Sequence, residues 1–104
     1  MTQHINNIII TTLRDYDPIR IGIFGSYARN EQTKNSDIDI FILVQNLKMK
    51  KKVEPFVESL SNKCFDLYGN RFAPYILTGH EIKQRRNLSV IQEINQGIQL
   101  FPKS

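Results

Sequence analysis

The sequence predicts a single α+β domain in which a small mixed β-sheet is flanked by helices. The chain has 104 residues and 40% of them are apolar, which is enough for one modest hydrophobic core. Segments with the apolar spacing of helices alternate with short apolar runs that are typical of buried strands. This alternation predicts one domain over residues 1–104, with a mixed sheet that carries its helices on one side.

The first half of the chain predicts a helix, two strands and a short helix between them. Thr2 can cap a helix, and Pro18 follows the end of that segment. Gly25 allows the chain to turn sharply after the first strand. The apolar residues at helical spacing are Ile5, Ile8, Ile9 and Leu13. The other predicted elements are a strand over residues 19–24, a short helix over 26–29 and a strand over 37–44.

The second half predicts one long helix, a third strand and two short helices. Cys64 lies on the apolar stripe of the long helix, so we interpret this thiol as a core residue rather than a nucleophile. Gly69 suits the end of that helix, and Gly97 suits the end of the last one. Thr78 and Glu81 have the spacing of a capping box. The predicted elements are a helix over residues 50–68, a strand over 71–77, helices from 78 and 89, and an edge strand over 98–101.

The most informative pattern is Gly25-Ser26, separated by ten residues from Asp37-Ile38-Asp39. A Gly-Ser turn that opens a helix offers backbone N–H groups and a hydroxyl to a phosphate. Two aspartates two apart on a strand point to the same face, with Cα atoms about 7 Å apart. Magnesium binds through one or two such carboxylates together with substrate phosphates. The pattern therefore predicts a site for a triphosphate and its magnesium.

The same residues resemble the signature of a known family. Gly25-Ser26-Tyr27-Ala28-Arg29 followed by Ser36-Asp37-Ile38-Asp39-Ile40 is similar to the motif of the minimal nucleotidyltransferases, small prokaryotic members of the DNA polymerase β-like superfamily. A weaker resemblance extends over residues 68–78. The resemblance implies the palm fold of that superfamily and the transfer of AMP from ATP to a hydroxyl acceptor. Because many members are antitoxins, it also implies a protein partner, a HEPN-type toxin.

Each candidate site residue has an expected role under this resemblance. We expect Asp37 and Asp39 to be the catalytic carboxylates and to hold one or two Mg²⁺ ions. We expect Gly25 and Ser26 to contact the terminal phosphates of ATP. Arg29 either holds phosphate through its fork of donors or stabilises the end of the short helix. The expected nucleotide-binding residues are Gly25, Ser26, Arg29 and Ser36.

A third carboxylate is the feature that the sequence leaves open. Active enzymes of the resembled superfamily usually carry one on a later strand, but the strand predicted over residues 71–77 contains no acid. Asp66 lies in a stretch that superficially resembles the superfamily pattern, although the helical stripe places it near a helix end. Either the third carboxylate is missing or Asp66 supplies it. If it is missing, the alternative function is a catalytically weakened nucleotide-binding module that acts as an antitoxin or regulator by complex formation.

Composition limits the partners and the compartment. The net charge of +4 is mildly basic and is not concentrated, so we do not expect nucleic acid as the partner. One cysteine allows no internal disulfide and fits a reducing compartment. No signal peptide is visible, and the longest apolar run is too short to span a bilayer. We therefore expect a cytoplasmic protein with no membrane partner.

Overall fold

The computed structural model describes residues 2–16, 18–28, 37–85 and 89–102. No helix in these ranges is both long enough and apolar enough to cross a membrane. The elements in chain order are α1 (Thr2–Leu13), a 3-10 helix (Arg14–Tyr16), β1 (Arg20–Phe24), α2 (Gly25–Ala28), β2 (Ile38–Val44), α3 (Leu47–Tyr68), β3 (Phe72–Thr78), α4 (Gly79–Arg85), α5 (Ser89–Asn95) and β4 (Ile98–Phe101).

The four strands form one mixed sheet, as predicted. Their order is β3-β2-β1-β4, so β2 and β1 are central and β3 and β4 are edges. β1 runs antiparallel to both β2 and β4, whereas β2 and β3 run parallel. In this register Asp39 of β2 lies between Phe24 of β1 and Ala73 of β3. Asp39 therefore lies on a central strand, and Asp37 directly precedes it.

Helices cover both faces of the sheet, so the prediction that they lie on one side is wrong. One face carries Ile38, Ile40 and Ile42 and packs in one cluster with residues of α1 and α3. The opposite face carries Phe41 in a second cluster with residues of α5. The reason is that the second face of β2 is apolar as well, and apolar surface is stabilised by about 25 cal/mol for each Å² that burial removes from water. The second cluster contains Phe24, Phe41, Leu77, Ile91 and Ile94.

Helix ends follow local capping chemistry. α3 begins at Leu47, three residues before the predicted start, because the side chain of Asn46 accepts a 3.0 Å hydrogen bond from the Met49 N–H. Gly69 ends α3 in the left-handed conformation, as predicted. Thr78 and Glu81 form the predicted capping box. The Thr78 N–H donates to Glu81 at 3.1 Å, and the Glu81 N–H donates to Thr78 at 3.2 Å.

Cys64 is buried among the residues of α1, α3 and the sheet, which confirms its interpretation as a core residue. Burial raises the pKa of its thiol, because a charged thiolate is poorly solvated there. A thiol in this state is a weak nucleophile. Cys64 therefore stabilises the packing of α3 and takes no part in the candidate site.

Candidate active site

The first feature of the site is the contact between Gly25 and the carboxylate of Asp39. Phe24 ends β1 opposite Asp39, so the next residue turns past that side chain. Gly25 has a φ of +70°, in the left-handed region that favours glycine. A Cβ at this position would collide with Oδ2 of Asp39 and lie 3.1 Å from its Cγ. The two halves of the sequence motif therefore touch, and only glycine fits the contact.

Asp37 and Asp39 lie at the start of β2. Asp37 directly precedes the strand and is exposed, and Asp39 is its second residue and is half-buried. Strand alternation puts Asp39 on the face of Phe41, the face that α5 covers. Two carboxylates at an accessible strand end suit a magnesium ion that completes its shell with phosphates and water. Among the described residues no group of three or more His, Cys, Asp or Glu could hold a metal, so such an ion would depend on the nucleotide for further ligands.

The other expected phosphate contacts are described only in part. Ser26 is the second residue of α2, directly after the turn that touches Asp39. Arg29 and Ser36 fall outside the described residues. What the structure brings together is therefore the turn at Gly25 and Asp39, with Ser26 and Asp37 close to them in the chain.

No carboxylate of β3 lies beside the two aspartates. The residue opposite Asp39 on β3 is Ala73, and the whole strand Phe72–Thr78 contains no acid. Asp66 is exposed on α3, and α3 packs on the opposite face of the sheet from Asp39. The structure does not bring Asp66 to the face that carries the pair.

Tyr75 is a site neighbour to which the sequence analysis assigned no role. It is 41% exposed, and its ring meets the Phe24 ring edge-on, with 5.3 Å between the centroids. Because Phe24 and Tyr75 belong to the strands on either side of β2, this contact passes over β2 next to Asp39. The signal was available, since Tyr75 lies two residues after Ala73 and alternation puts both on the face of Asp39.

A small cleft adjoins the turn. It has a volume of about 140 Å³ and is lined by Gly25, Ala28, Glu93, Gln96 and Gly97. A Cβ at Gly97 would collide with the Ile23 carbonyl and lie 3.0 Å from Cβ of Phe24, so the end of α5 packs directly on β1. Sequence reasoning gave Glu93 no role, because nothing in the chain order relates α5 to the turn.

A small mixed sheet with helices on both faces, a glycine turn and two aspartates at the start of the adjoining central strand together define a nucleotidyltransferase-type palm. The family model described as the nucleotidyltransferase domain matches residues 7–96. The chain belongs to that family.

Curated relatives come from Methanocaldococcus jannaschii and are provisionally named protein adenylyltransferases. One is 82% identical over 22 residues, which are 21% of this chain and 22% of the relative. Another is 51% identical over 43 residues, 38% of this chain and 46% of the relative. The matching segments thus span less than half the length of these relatives.

Two solved structures with the same fold are toxin–antitoxin complexes. One is a toxin–antitoxin with AMP-PNP, which is 24% identical with a TM-score of 0.56 and matches 95% of this chain and 74% of the neighbour. Another holds a tri-AMPylated Shewanella oneidensis HEPN toxin in complex with an MNT antitoxin. It is 22% identical, has a TM-score of 0.52, and covers 99% of this chain and 74% of the neighbour. At these identities the likeness shows the fold, and the α+β palm expected from the sequence is confirmed.

Proposed function

We propose that this protein is a Mg²⁺-dependent nucleotidyltransferase that transfers AMP from ATP to a hydroxyl of a partner protein, a HEPN-type toxin. The observation that carries the proposal is the contact of the Gly25 turn with the Asp39 carboxylate. The turn leaves its backbone open to a phosphate next to Asp39, and Asp37 lies two residues before Asp39, which supports a site for a nucleotide and its metal. The names of the curated relatives and the contents of the neighbouring complexes agree with this reaction and this partner.

The role of each residue follows from its chemistry. Gly25 and Ser26 seat the β- and γ-phosphates, since the absence of a side chain at Gly25 lets the nucleotide approach the backbone. Asp37 and Asp39 hold the magnesium, which neutralises phosphate charge when it is bound. The acceptor oxygen then forms a bond to the α-phosphorus as the bond to pyrophosphate breaks. The hydroxyl proton goes to water, and β3 contributes no carboxylate to its removal.

A second candidate function is a nucleotide-binding antitoxin that acts by complex formation without transfer. The observation that favours it is the position of Ala73 opposite Asp39, on a strand with no acid. Such a module would keep the nucleotide site and its partner but would lack the base that assists the attacking hydroxyl. It would also keep its partner after both aspartates are changed.

Label transfer separates the two candidates. Purified protein is incubated with lysate of the source cell, Mg²⁺ and ATP labelled at the α-phosphate, beside a parallel reaction with γ-label and a third with the Asp37→Asn/Asp39→Asn protein. Transfer predicts a protein band that is labelled from α but not from γ and is lost in the double variant. If the folded protein binds its partner and no band appears, the transferase proposal is rejected in favour of the binding module.

A further inference from the structure

A groove of about 670 Å³ runs between α3 and the outer edge of β3. Glu54, Glu58 and Ser61 line its helical wall, and Phe72, Pro74 and Tyr75 line its strand wall. Its volume lies within the range of ligand sites, which is about 300–1,000 Å³. The groove is distinct from the turn at Gly25, and none of the roles assigned above to nucleotide or metal uses it.

The outer edge of β3 is covered at both ends of the strand. The Ile38 N–H donates to the Arg71 carbonyl, so odd-numbered residues of this segment face β2 and even-numbered ones face the groove side. At one end the Phe72 N–H donates to the Ser61 hydroxyl at 2.9 Å. At the other end the Thr78 N–H donates to Glu81. These two outward donors are already used.

The middle of this edge offers more acceptors than donors. Pro74 has no N–H to offer, and among the outward positions Ile76 supplies the N–H that makes no hydrogen bond to the described residues. The outward carbonyls of Phe72, Pro74 and Ile76 are three acceptors. A second copy of β3 would need alternating donors and acceptors to pair here, so this edge does not suit strand addition. It suits a partner that brings side-chain donors.

The charge of the helical wall points to the same kind of partner. Glu54 and Glu58 lie one helical turn apart, are exposed, and make no ion pair with any residue that the structure describes. Lys50 also lines the groove, but its ammonium lies 3.2 Å from the Glu81 carboxylate and is engaged there. A protein with a net charge of +4 thus carries an acidic wall at this groove.

The groove lies on the α3 side of the sheet, along the strand next to β2. Tyr75 is one of its lining residues, and the Tyr75 ring contacts Phe24 on the opposite face, the face of Asp39. A chain segment that lies along β3 would therefore flank the strand that carries Asp39.

We infer that this groove docks a basic, extended segment of the acceptor protein, with Arg or Lys side chains that donate to the open carbonyls and pair with Glu54 and Glu58. The identification of the bound protein as the acceptor rests on the proposed function. The preference of the groove for cationic donors is independent of that function, because it follows from the edge hydrogen bonds and the two glutamates.

The test uses ¹⁵N-labelled full-length protein and two synthetic ten-residue peptides. One alternates Arg with Leu and contains one Tyr, and the other has Glu in place of every Arg. The Glu54→Gln/Glu58→Gln variant removes the acidic wall. The Ser59→Lys/Gln92→Lys variant is the matched control, because it changes the net charge by the same amount at exposed positions outside the groove. Neither ATP nor Mg²⁺ is present.

We expect the Arg peptide to shift the amide signals of Ser61, Tyr75 and Ile76. The glutamine variant should weaken its Kd by about three- to tenfold, as expected for the loss of two exposed ion pairs, while the control keeps the native Kd. The inference is overturned if both variants weaken binding equally, if the Glu peptide binds as well as the Arg peptide, or if the Arg peptide does not bind. It is also overturned if the shifts centre elsewhere or if the protein dimerises through β3. Because this experiment measures no transfer, a failure of label transfer would not affect the peptide-binding result. A failure of peptide binding would likewise leave the label-transfer result unaffected.

Discussion

Gly25 carries two separate constraints, a left-handed backbone and a contact with the carboxylate of Asp39. We predict that Gly25→Ala loses label transfer and destabilises the fold. The destabilisation should exceed roughly 1–2 kcal/mol, which is the cost of a left-handed conformation for a residue other than glycine. The excess arises because the new methyl must displace Asp39. The measurements are urea unfolding and label transfer.

Two other glycines supply matched controls for this substitution. Gly69 shares the left-handed φ, but nothing lies within 4 Å of an added Cβ, and Gly79 has open space and no positive φ. Gly69→Ala should cost about 1–2 kcal/mol with transfer retained, and Gly79→Ala should be neutral or slightly stabilising. If Gly25→Ala behaves like Gly69→Ala in both measurements, the contact with Asp39 has no functional role.

Asp66 provides the second test at the scale of single residues. Because it is exposed on α3, on the opposite face of the sheet from Asp39, we predict that Asp66→Asn leaves the rate of transfer unchanged. A variant that folds normally but transfers no label would show that Asp66 serves as the third carboxylate after all.

Among the elements, α4 depends on the capping box at its start. Hydrogen bonding from the backbone N–H of Thr78, together with Lys50, lowers the pKa of Glu81 below its ordinary value of 4.5. A lowered pKa means that the ionised carboxylate stabilises the fold above pH 4.5 and that this stabilisation is lost as the pH falls through the lower value of the folded state.

We therefore predict that the stability difference between the native protein and Glu81→Gln shrinks as the pH is lowered from 7 through this window. Denaturant unfolding at a series of pH values measures it. A difference that is constant over the series would mean that the charge of Glu81 does not stabilise α4.

The register of β3 against β2 allows a prediction about position 73. Asp39 faces Ala73, so Ala73→Asp would put a third carboxylate beside the pair. Without metal the added like charge should lower Tm, and Mg²⁺ should restore it, because the ion favours the charged forms. We also expect faster label transfer from this variant.

Ala73→Asn is the matched control for the charge, with nearly the same shape. It should gain neither the Mg²⁺-dependent rise in Tm nor the faster transfer. If both variants respond alike, the strand register does not put position 73 in contact with the metal site.

The sequence predicted most of the helices and strands, because residues close together in the chain decide where these elements begin and end. The capping box at Thr78, the end of α3 at Gly69 and the strands around the motif depend on neighbours in the chain. The placement of helices on both faces, the contact of Tyr75 with Phe24 and the cleft at Glu93 depend on residues far apart in sequence. No local rule relates α5 to β1, so tertiary packing had to supply those features.

At the scale of the whole molecule, the candidate site lies at the start of a central strand, β2. β2 is paired on both edges and buried on both faces, with Ile38, Ile40 and Phe41 each no more than 1% exposed. A rigid strand fixes carboxylates better than a loop does. The outer edge of β3 and the groove beside it lie on one flank of this strand, on the side of α3.

Paramagnetic broadening by Mn²⁺ is the sharpest test of whether Asp37, Asp39 and the Gly25 turn form one metal–nucleotide site. Mn²⁺ takes the same oxygen ligands as Mg²⁺ and broadens nearby amide signals. With a non-hydrolysable ATP analogue present, we predict loss of the amide signals of Gly25, Ser26 and Asp39 in the native protein and their return in Asp37→Asn/Asp39→Asn. Broadening centred on Asp66 or on Glu54 and Glu58, or broadening that persists in the double variant, would show that the aspartates and the Gly25 turn do not form such a site.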